Sequence, residues 1–163
     1  MSESMNIEEV LAREGIRKSL ADYTMAGDRL KVDDFVSVFT EDAILESEGV
    51  PQQDSFRYVG GEEIRRWLTR WQNKSGTELK AHEATFVRHH LTSCQIEITT
   101  ANAARARTYW IAYTDIGPDH SGYYVDEFSK VHGNWLIAHR RIRLDWQSEE
   151  SLFKTAIVRT KKD

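Results

Sequence analysis

The sequence has little of what marks several common classes of protein. Among its 163 residues there is one cysteine, Cys94, and there are two prolines. A single cysteine excludes an internal disulfide framework and a metal site built from several cysteines, and a lone thiol is typical of a reducing compartment. No stretch approaches the ~20 apolar residues of a membrane span, and the stretch MSESMNIEEVLAREGIRK has acidic residues where a signal peptide carries basic ones. These features predict a cytoplasmic protein without a membrane partner.

Positive charge is also in short supply. The chain has 22 lysines and arginines against 26 acidic residues, which gives a formal net charge of −4. The basic residues are scattered, apart from a short cluster at residues 139–143. Because a nucleic-acid surface needs a strongly positive patch, no nucleic-acid partner is expected.

Aromatic residues, in contrast, are plentiful. The chain contains five tryptophans, six tyrosines and six phenylalanines. They indicate either a bulky core or a pocket lined by rings. Because the chain has no internal repeat and no linker, residues 1–163 are expected to form one domain with a sizeable core.

Helical periodicity dominates the first half of the chain. Asn6 precedes the first helix as a candidate N-cap, and Gly27 is expected to end it. A short second helix follows, and Gly60-Gly61 opens a third. Apolar residues recur at helical spacing in all three: Ile7, Val10, Leu11, Ile16, Leu20 and Tyr23; Val32, Phe35, Val36 and Phe39; Ile64, Trp67, Leu68 and Trp71.

The rest of the chain alternates as strands do. A short strand is expected at EDAILESEG, and four long ones at residues 84–99, 103–115, 121–131 and 134–146. The turns between them are assigned to Thr100-Ala101-Asn102, Gly117-Pro118-Asp119 and His132-Gly133-Asn134. This order predicts an α+β fold, a cone-shaped α+β barrel in which N-terminal helices pack against a strongly curved, mostly antiparallel sheet. A small-molecule site is expected in its apolar interior.

Two adjacent histidines, His89 and His90, stand in the first long strand, within FVRHHLTS. Period-2 alternation sends them to opposite faces. If Leu91 faces inward, so does His89, whereas an inward Cys94 selects His90. A β-bulge would break this parity, so alternation alone leaves both assignments open.

A metal site is the other interpretation of these histidines. His82, His89 and His90 with a carboxylate could form a histidine-rich site. Adjacent strand residues diverge, however, and the sequence has no H-x-H or H-x-x-x-H spacing. The prediction is therefore no metal and no cofactor.

The last strand places an arginine among apolar residues. Arg140 is predicted to face inward with Leu136, Ala138, Ile142 and Leu144, and Ile137, His139, Arg141 and Arg143 to face outward. A buried arginine must be paired or must bind a ligand. Arg140 is thus a candidate anchor for an acidic or phenolic group. The alternative is an ion pair with Asp126, Glu127 or Asp145.

Several stretches, taken in order, resemble the SnoaL-like branch of the nuclear transport factor 2-like superfamily. The resemblance covers residues 7–146 and implies the cone-shaped fold. The stretches are LADYTMAGDRLKVDDFVSVFTEDA, GGEEIRRWLTRW, RHHLTSCQIEI and SGYYVDEFSKVHGNWLIAHRRIRLDW.

The resemblance also implies catalytic residues. The branch includes lyases such as scytalone dehydratase, bile-acid dehydratase and hexachlorocyclohexane dehydrochlorinase, in which a histidine of the first long strand pairs with an aspartate near the end of the first helix. Those positions are His89 and Asp28 here, and Tyr23 lies near a tyrosine that several dehydratases place beside the aspartate. The asparagine that often follows the histidine by four residues is Ser93 in this chain. Alternatively, Asp28 caps the second helix.

The resulting prediction is a cofactor-independent lyase acting on a small hydrophobic, aromatic or polycyclic molecule. It would remove water or another small fragment, including formaldehyde by a retro-aldol step. Predicted substrate contacts are Tyr23, Trp110, Tyr124, Asp126 and Arg140. The alternatives are an isomerase or cyclase with the same base, and a non-catalytic ligand-binding or scaffold domain like the small subunit of ring-hydroxylating dioxygenases. A homo-oligomer, a dimer or trimer, is expected to form through a sheet face bearing Trp135 and Ile137.

Overall fold

The computed structural model describes residues 6–75 and 84–153, with side chains for residues 6–72 and 84–153. Three helices precede most of the sheet. The helices are α1 (Ile7–Gly27), α2 (Val32–Ser37) and α3 (Gly61–Ser75), and a 3₁₀ turn spans Gln52–Asp54. The strands are β1 (Phe39–Glu48), β2 (Arg57–Val59), β3 (Arg88–Thr100), β4 (Ala103–Thr114), β5 (Gly117–Val131) and β6 (Asn134–Gln147).

The first helix begins and ends where the sequence predicts. The side chain of Asn6 accepts a hydrogen bond from the backbone N–H of Glu9 at 2.8 Å, which satisfies one of the free donors of the first turn. The last helical residue is Gly27. Ile16 and Leu20 on the inner side of α1 are almost completely buried.

The strands form one six-stranded sheet in the order β2-β1-β6-β5-β4-β3. Every neighbouring pair is antiparallel except β1 and β6, which are parallel. The sheet is mixed and does not close on itself. This arrangement confirms the predicted α+β architecture, and α1 and α3 both pack against the sheet. Within the described ranges, no helix combines the length and the hydropathy of a membrane span.

One turn lies earlier than the sequence pattern suggested. Asp115 and Ile116 form the turn between β4 and β5, so the predicted Gly117-Pro118-Asp119 turn is wrong and those residues open β5. Pro118 pairs with β4 only, because the pairing of β5 with β6 begins at His120. A proline there removes no hydrogen bond from the β5–β6 ladder.

A β-bulge in β6 changes which of its side chains face inward. Glu127 pairs with His139 while Phe128 pairs with Ile137, so Ala138 is an extra residue. Trp135 and Ile137 are consequently buried, together with Arg140. The prediction that Trp135 and Ile137 lie on an exposed face is therefore wrong, because strict alternation does not survive a bulge.

Candidate active site

His89 faces the interior of the fold, and His90 faces outward. The pairing of β3 with β4 is shifted by one residue between Leu91 and Cys94, which forms a β-bulge. The bulge places Leu91 and Cys94 on the same partly buried side, which His89 shares. His90 is exposed, and its ring packs against Tyr113 with the centroids 5.0 Å apart. The bulge thus answers the question that alternation left open.

Asp28 contacts His89 with both carboxylate oxygens. Its Oδ1 lies 2.6 Å from Nδ1 of His89, and its Oδ2 accepts the backbone N–H of His89 at 2.9 Å. Asp28 immediately follows α1 and so reaches β3 from the end of the helix. The N-cap position of α2 is occupied by Lys31, so Asp28 does not cap that helix.

This two-point contact defines the tautomer of His89. A carboxylate only accepts hydrogen bonds, so Nδ1 of His89 carries the proton and donates it to Asp28. In the neutral ring, Nε2 is then the nitrogen with the free lone pair. The Asp28 side chain is 8% exposed and that of His89 is 25% exposed, so the carboxylate is shielded while the ring remains reachable. A fixed imidazole with a carboxylate behind it can serve as a general base.

A second histidine–aspartate pair lies beside the first. Nδ1 of His120 lies 2.7 Å from Oδ1 of Asp119. The rings of His89 and His120 meet edge to face with their centroids 6.1 Å apart, and both rings contact Trp110. The candidate site therefore brings two imidazoles against one indole.

Asp119 is completely buried and is held by several donors. Its carboxylate accepts hydrogen bonds from the hydroxyls of Thr114 and Ser151, from the backbone N–H of Leu152, and from Nδ1 of His120. Burial alone would raise the pKa of Asp119, but these hydrogen bonds together lower that pKa below its ordinary value. Asp119 is therefore an ionised acceptor, and Nδ1 of His120 is the donor.

His120 is held in its neutral form. Burial of the ring lowers the pKa of His120 below 6.5 despite the opposing effect of Asp119, and the nearby His89 lowers it further. With its proton on Nδ1, neutral His120 presents Nε2 as a hydrogen-bond acceptor. It is thus suited to accept a hydrogen bond from a ligand hydroxyl and to hold that hydroxyl in place.

His120 and Asp119 were not among the site residues predicted from the sequence. The sequence pattern assigned residues 117–119 to a turn and began the next strand at residue 121, so Asp119 and His120 were not placed on a strand face. Once β5 begins at Gly117, the period-2 pattern runs back from Tyr124 through Gly122 to His120 and places all three on one face. That alternation is the signal that could have identified His120.

The residues predicted as substrate contacts lie in one connected group. Arg140 and Asp126 are completely buried and form a bidentate ion pair with two contacts of 2.7 Å. The guanidinium carbon of Arg140 lies 4.0 Å from the ring centroid of Tyr23 and 4.1 Å from that of Tyr124. Trp110 stacks on Tyr124 with centroids 5.6 Å apart and so joins this group to His89. The ion pair predicted as the alternative for Arg140 is therefore present, with Asp126.

The protonation states in this group follow from burial and from the ion pair between Asp126 and Arg140. Burial lowers the tendency of Arg140 to be charged, but Asp126 outweighs it and holds the pKa of Arg140 above its ordinary value. Burial raises the pKa of Tyr23 and of Tyr124, although Arg140 opposes both shifts. Arg140 therefore stays a cation between two neutral phenols.

Two buried donors within the described residues have no hydrogen-bond partner. They are Nε1 of Trp110 and Nη1 of Arg140. Trp110 is only 4% exposed and Arg140 is fully buried, so each unpaired N–H carries a desolvation cost, on the order of 1–3 kcal/mol. Such donors are natural contacts for an acceptor atom on a ligand.

The tyrosines beside Trp110 in β4 differ from it, since Tyr109 is 50% exposed on the outer face and Tyr113 is also exposed.

The part of the chain that the structure describes holds no group of three or more histidine, cysteine, aspartate or glutamate residues arranged to bind a metal ion. The metal interpretation used His82, which lies outside the described residues. The other two histidines of that interpretation, His89 and His90, face opposite sides of the sheet.

An open groove elsewhere on the molecule lies between α1 and the turns that join β3 to β4 and β5 to β6. Lys18, Asp22 and Trp135 are among the residues that line it. Neither imidazole pair borders this groove. Surface shape alone would favour this groove as the ligand site, whereas the two histidine–aspartate pairs favour the interior around His89.

The second pair predicts a pH dependence of stability. An unfolded histidine titrates at about 6.5, and the folded pKa of His120 is lower, so the unfolded state takes up the proton first as the pH falls. The free energy of unfolding should therefore decrease between about pH 7.5 and about pH 5. The folded pKa of Asp119 is also lowered, so its contribution is present above about 3.8 and is lost as the pH falls through the folded value.

Urea unfolding at several pH values measures this dependence. His120→Phe should flatten the decrease between about pH 7.5 and about pH 5, whereas the control His132→Gln, at an exposed turn position, should leave it as in the wild type. An unchanged slope in His120→Phe would contradict the assignment.

The fold has clear relatives among solved structures. A candidate scytalone dehydratase from Novosphingobium aromaticivorans has a TM-score of 0.75 at 17% identity, over 96% of this chain and 98% of that chain. A hexachlorocyclohexane dehydrochlorinase from Novosphingobium barchaimii has a TM-score of 0.68 at 15% identity, over 87% and 92% of the two chains. The beta subunit of a candidate aromatic-ring-hydroxylating dioxygenase from Novosphingobium aromaticivorans has a TM-score of 0.67 at 14% identity, over 85% and 92%. At these identities the likeness concerns the fold.

Sequence comparison identifies the family. No curated protein matches the sequence significantly. The family described as the SnoaL-like domain matches residues 8–141, which is most of the chain. The fold, the sheet order and this match agree, and the chain belongs to the SnoaL-like domain family of the nuclear transport factor 2-like superfamily.

Proposed function

We propose that the protein is a cofactor-independent lyase in which His89 is the general base and Asp28 positions it. The observation that carries this proposal is the two-point contact of Asp28 with the ring and the backbone N–H of His89. That contact fixes the ring and leaves Nε2 as the basic atom. It also places a carboxylate where it stabilises the imidazolium that forms during proton removal.

The proposed reaction is an elimination. Nε2 of His89 removes a proton from the carbon adjacent to the one that bears the leaving hydroxyl, and the electrons of that C–H bond form the new double bond between the two carbons. A hydroxyl leaves with its bonding pair and receives a proton from the imidazolium, so water departs and His89 is restored. In the retro-aldol variant, Nε2 takes a hydroxyl proton, the adjacent C–C bond breaks with release of formaldehyde, and the imidazolium returns the proton to the carbon.

The proposed substrate is a small hydrophobic molecule with an aromatic or polycyclic body. Trp110 packs against His89, Tyr124 stacks on Trp110, and Tyr23 packs against Tyr124, so the three rings form a continuous aromatic group that reaches His89. The unpaired N–H groups of Trp110 and Arg140 are placed to donate to acceptor atoms such as a carbonyl or phenolate oxygen. Both oxygens of Asp126 are occupied by Arg140, so we propose that Asp126 acts on the substrate through Arg140.

A scaffold domain is the alternative, and the site chemistry argues against it. A scaffold without catalytic work would be expected to fill its interior with apolar side chains and leave Asp28 outside. Here Asp28 is directed at His89 and a second histidine–aspartate pair faces the first. Burying an ionisable group costs free energy unless the group is paired and hydrogen-bonded, and buried ionisable groups concentrate at functional sites.

Incubation with a panel of hydroxylated aromatic and polycyclic compounds in D₂O tests the proposal. We expect at least one compound to lose water or formaldehyde without added cofactor. An isomerase would return the proton to another carbon and would incorporate deuterium without loss of a fragment. If no compound loses a fragment or incorporates deuterium, while at least one compound binds tightly, the result would favour the non-catalytic alternative.

We also propose a cytoplasmic homo-oligomer, a dimer or trimer, that assembles through the outer face of the sheet. Because Trp135 and Ile137 are buried, we assign the surface instead to exposed aromatic residues of the sheet, which include Tyr109 and Trp146. Tyr109 packs beside Tyr123, which extends this aromatic surface. Exposed apolar patches of this kind mark interaction surfaces.

Sedimentation at micromolar concentration measures the oligomeric state. The wild type should sediment as a dimer or trimer, and Tyr109→Asp should shift it toward the monomer because the substitution places a charge in the patch. Met25→Asp is the matched control, since Met25 is equally exposed but lies on α1. A monomeric wild type would remove this proposal.

A further inference from the structure

The chain turns back on the sheet after β6 and docks on Asp119. We refer to residues 148–153 as the strap. Ser148 donates its backbone N–H to the carbonyl of Asp119 at 2.8 Å. Ser151 and Leu152 donate to the two carboxylate oxygens of Asp119 at 2.6 and 3.0 Å. Three successive contacts therefore hold the strap on one buried residue.

Ser151 passes this attachment on to Phe153. Its side chain is almost completely buried, and its hydroxyl oxygen accepts the backbone N–H of Phe153 at 3.1 Å. The ring of Phe153 lies against His120, with centroids 5.1 Å apart, and near Trp71 of α3 at 6.5 Å. Phe153 thus bridges from the second imidazole to α3.

Every hydrogen-bonding site of the Asp119 carboxylate is occupied. An ionised carboxylate offers about four lone-pair sites. Thr114, His120, Ser151 and Leu152 occupy them. The same carboxylate therefore orients the imidazole of His120 and anchors the strap.

We propose that the strap is a wall of the candidate site, with Phe153 as the residue that shields His120 and limits the space beside it, and Asp119 as the positioning residue that holds both. This inference rests on the proposed function only in taking the interior around His89 and His120 as the substrate site. It adds a specificity-determining aromatic residue, Phe153, to the tyrosines and tryptophan contributed by the sheet and α1. His120 contacts both this ring and the indole of Trp110, so a substrate that reaches the imidazole meets both aromatic side chains.

The shielding has a local consequence that can be measured without any substrate. Burial is the largest cause of the lowered pKa of His120. If Phe153 supplies part of that burial, its truncation should admit water to the ring and raise the pKa of His120 toward the ordinary value of about 6.5. Loss of the Ser151 hydroxyl should act in the same direction, because it removes one of the three contacts that hold the strap on Asp119.

The experiment is a pH titration of ¹⁵N-labelled histidine signals by NMR in the full-length protein without ligand. Phe153→Ala and Ser151→Ala are the test variants. Phe86→Ala is the matched control for the ring, since Phe86 is partly exposed and its ring packs near Arg88. Ser55→Ala is the control for the hydroxyl, since Ser55 bonds to Gln52 in an exposed turn.

We expect the pKa of His120 to rise in both test variants and to stay unchanged in both controls, with the Nδ1–H tautomer retained because Asp119 remains. An unchanged pKa of His120 in Phe153→Ala and Ser151→Ala, or a rise of the same size in the controls, would overturn the proposal. Because the resting protein is titrated, a protein that proves to have no lyase activity would still give a clear result for the strap.

Discussion

Replacing His89 with alanine is expected to remove most of the activity and leave the fold intact. General-base catalysis typically contributes about 10²- to 10⁴-fold, which corresponds to about 3–5 kcal/mol of barrier. The His89 side chain is one-quarter exposed and lies at the site rather than in the apolar core. Its loss should therefore lower kcat far more than thermal stability. Steady-state kinetics on a substrate identified from the panel, with circular dichroism as a check on folding, measure both.

Asp28→Asn and His90→Ala complete this series. Asp28→Asn should cost less than His89→Ala, because the base remains while the partner that fixes its tautomer and supports its charge is weakened. His90→Ala is the matched control, since it removes the adjacent imidazole, which is exposed and packs on Tyr113. Its activity should be close to wild type. An inactive His90→Ala together with an active His89→Ala would contradict the assignment.

Breaking the buried ion pair should have the largest effect on stability. Asp126→Leu leaves the fully buried guanidinium of Arg140 without its carboxylate, and breaking one side of such a pair typically costs about 3–5 kcal/mol. Urea unfolding measures this free energy. The stacking of Arg140 between Tyr23 and Tyr124 cannot replace the lost charge partner, because both phenols stay neutral.

Two further variants separate charge from packing. The double variant Asp126→Leu with Arg140→Met removes both charges, so it should be more stable than Asp126→Leu alone. Asp33→Ala is the surface control, because Asp33 pairs with Arg65 in an exposed position, where an ion pair is worth about 0–1 kcal/mol. A loss below about 1 kcal/mol for Asp126→Leu would show that the pair does not hold the interior together.

The sequence predicts the architecture well because its periodic signals are long. The helix from Ile7 to Gly27 has a capping residue, an apolar face and a terminating glycine, and each acts locally. The four long strands are correctly predicted in number and order, with ends displaced by a few residues. Local signals of this kind need no knowledge of the tertiary structure.

Alternation fails where a strand contains a bulge. The bulge between Leu91 and Cys94 lets both residues face inward, and the extra residue Ala138 turns Ile137 inward with Arg140. A bulge depends on how the neighbouring strand pairs, so its position is not written in the strand's own period. For this reason Trp135 and Ile137, which were predicted to form an exposed patch, are buried.

The candidate site was predictable in part, and for a different reason in each part. Asp28 and His89 came from the family resemblance, since no local pattern relates residues 61 positions apart. Arg140 came from the cost of burying a charge among apolar residues. Asp119 and His120 were missed because the turn before them was placed two residues too late. Asp119 is also held by Ser151, which reaches it only in the folded chain.

A double-mutant comparison tests the central claim, that His89 and Asp28 act as one catalytic unit. The measurement is kcat/KM for wild type, His89→Ala, Asp28→Asn and the double variant on one substrate. Residues that act as a unit are not additive, so the double variant should be little worse than His89→Ala alone. A double variant whose loss equals the product of the two single losses would show that the residues act independently and would contradict the claim.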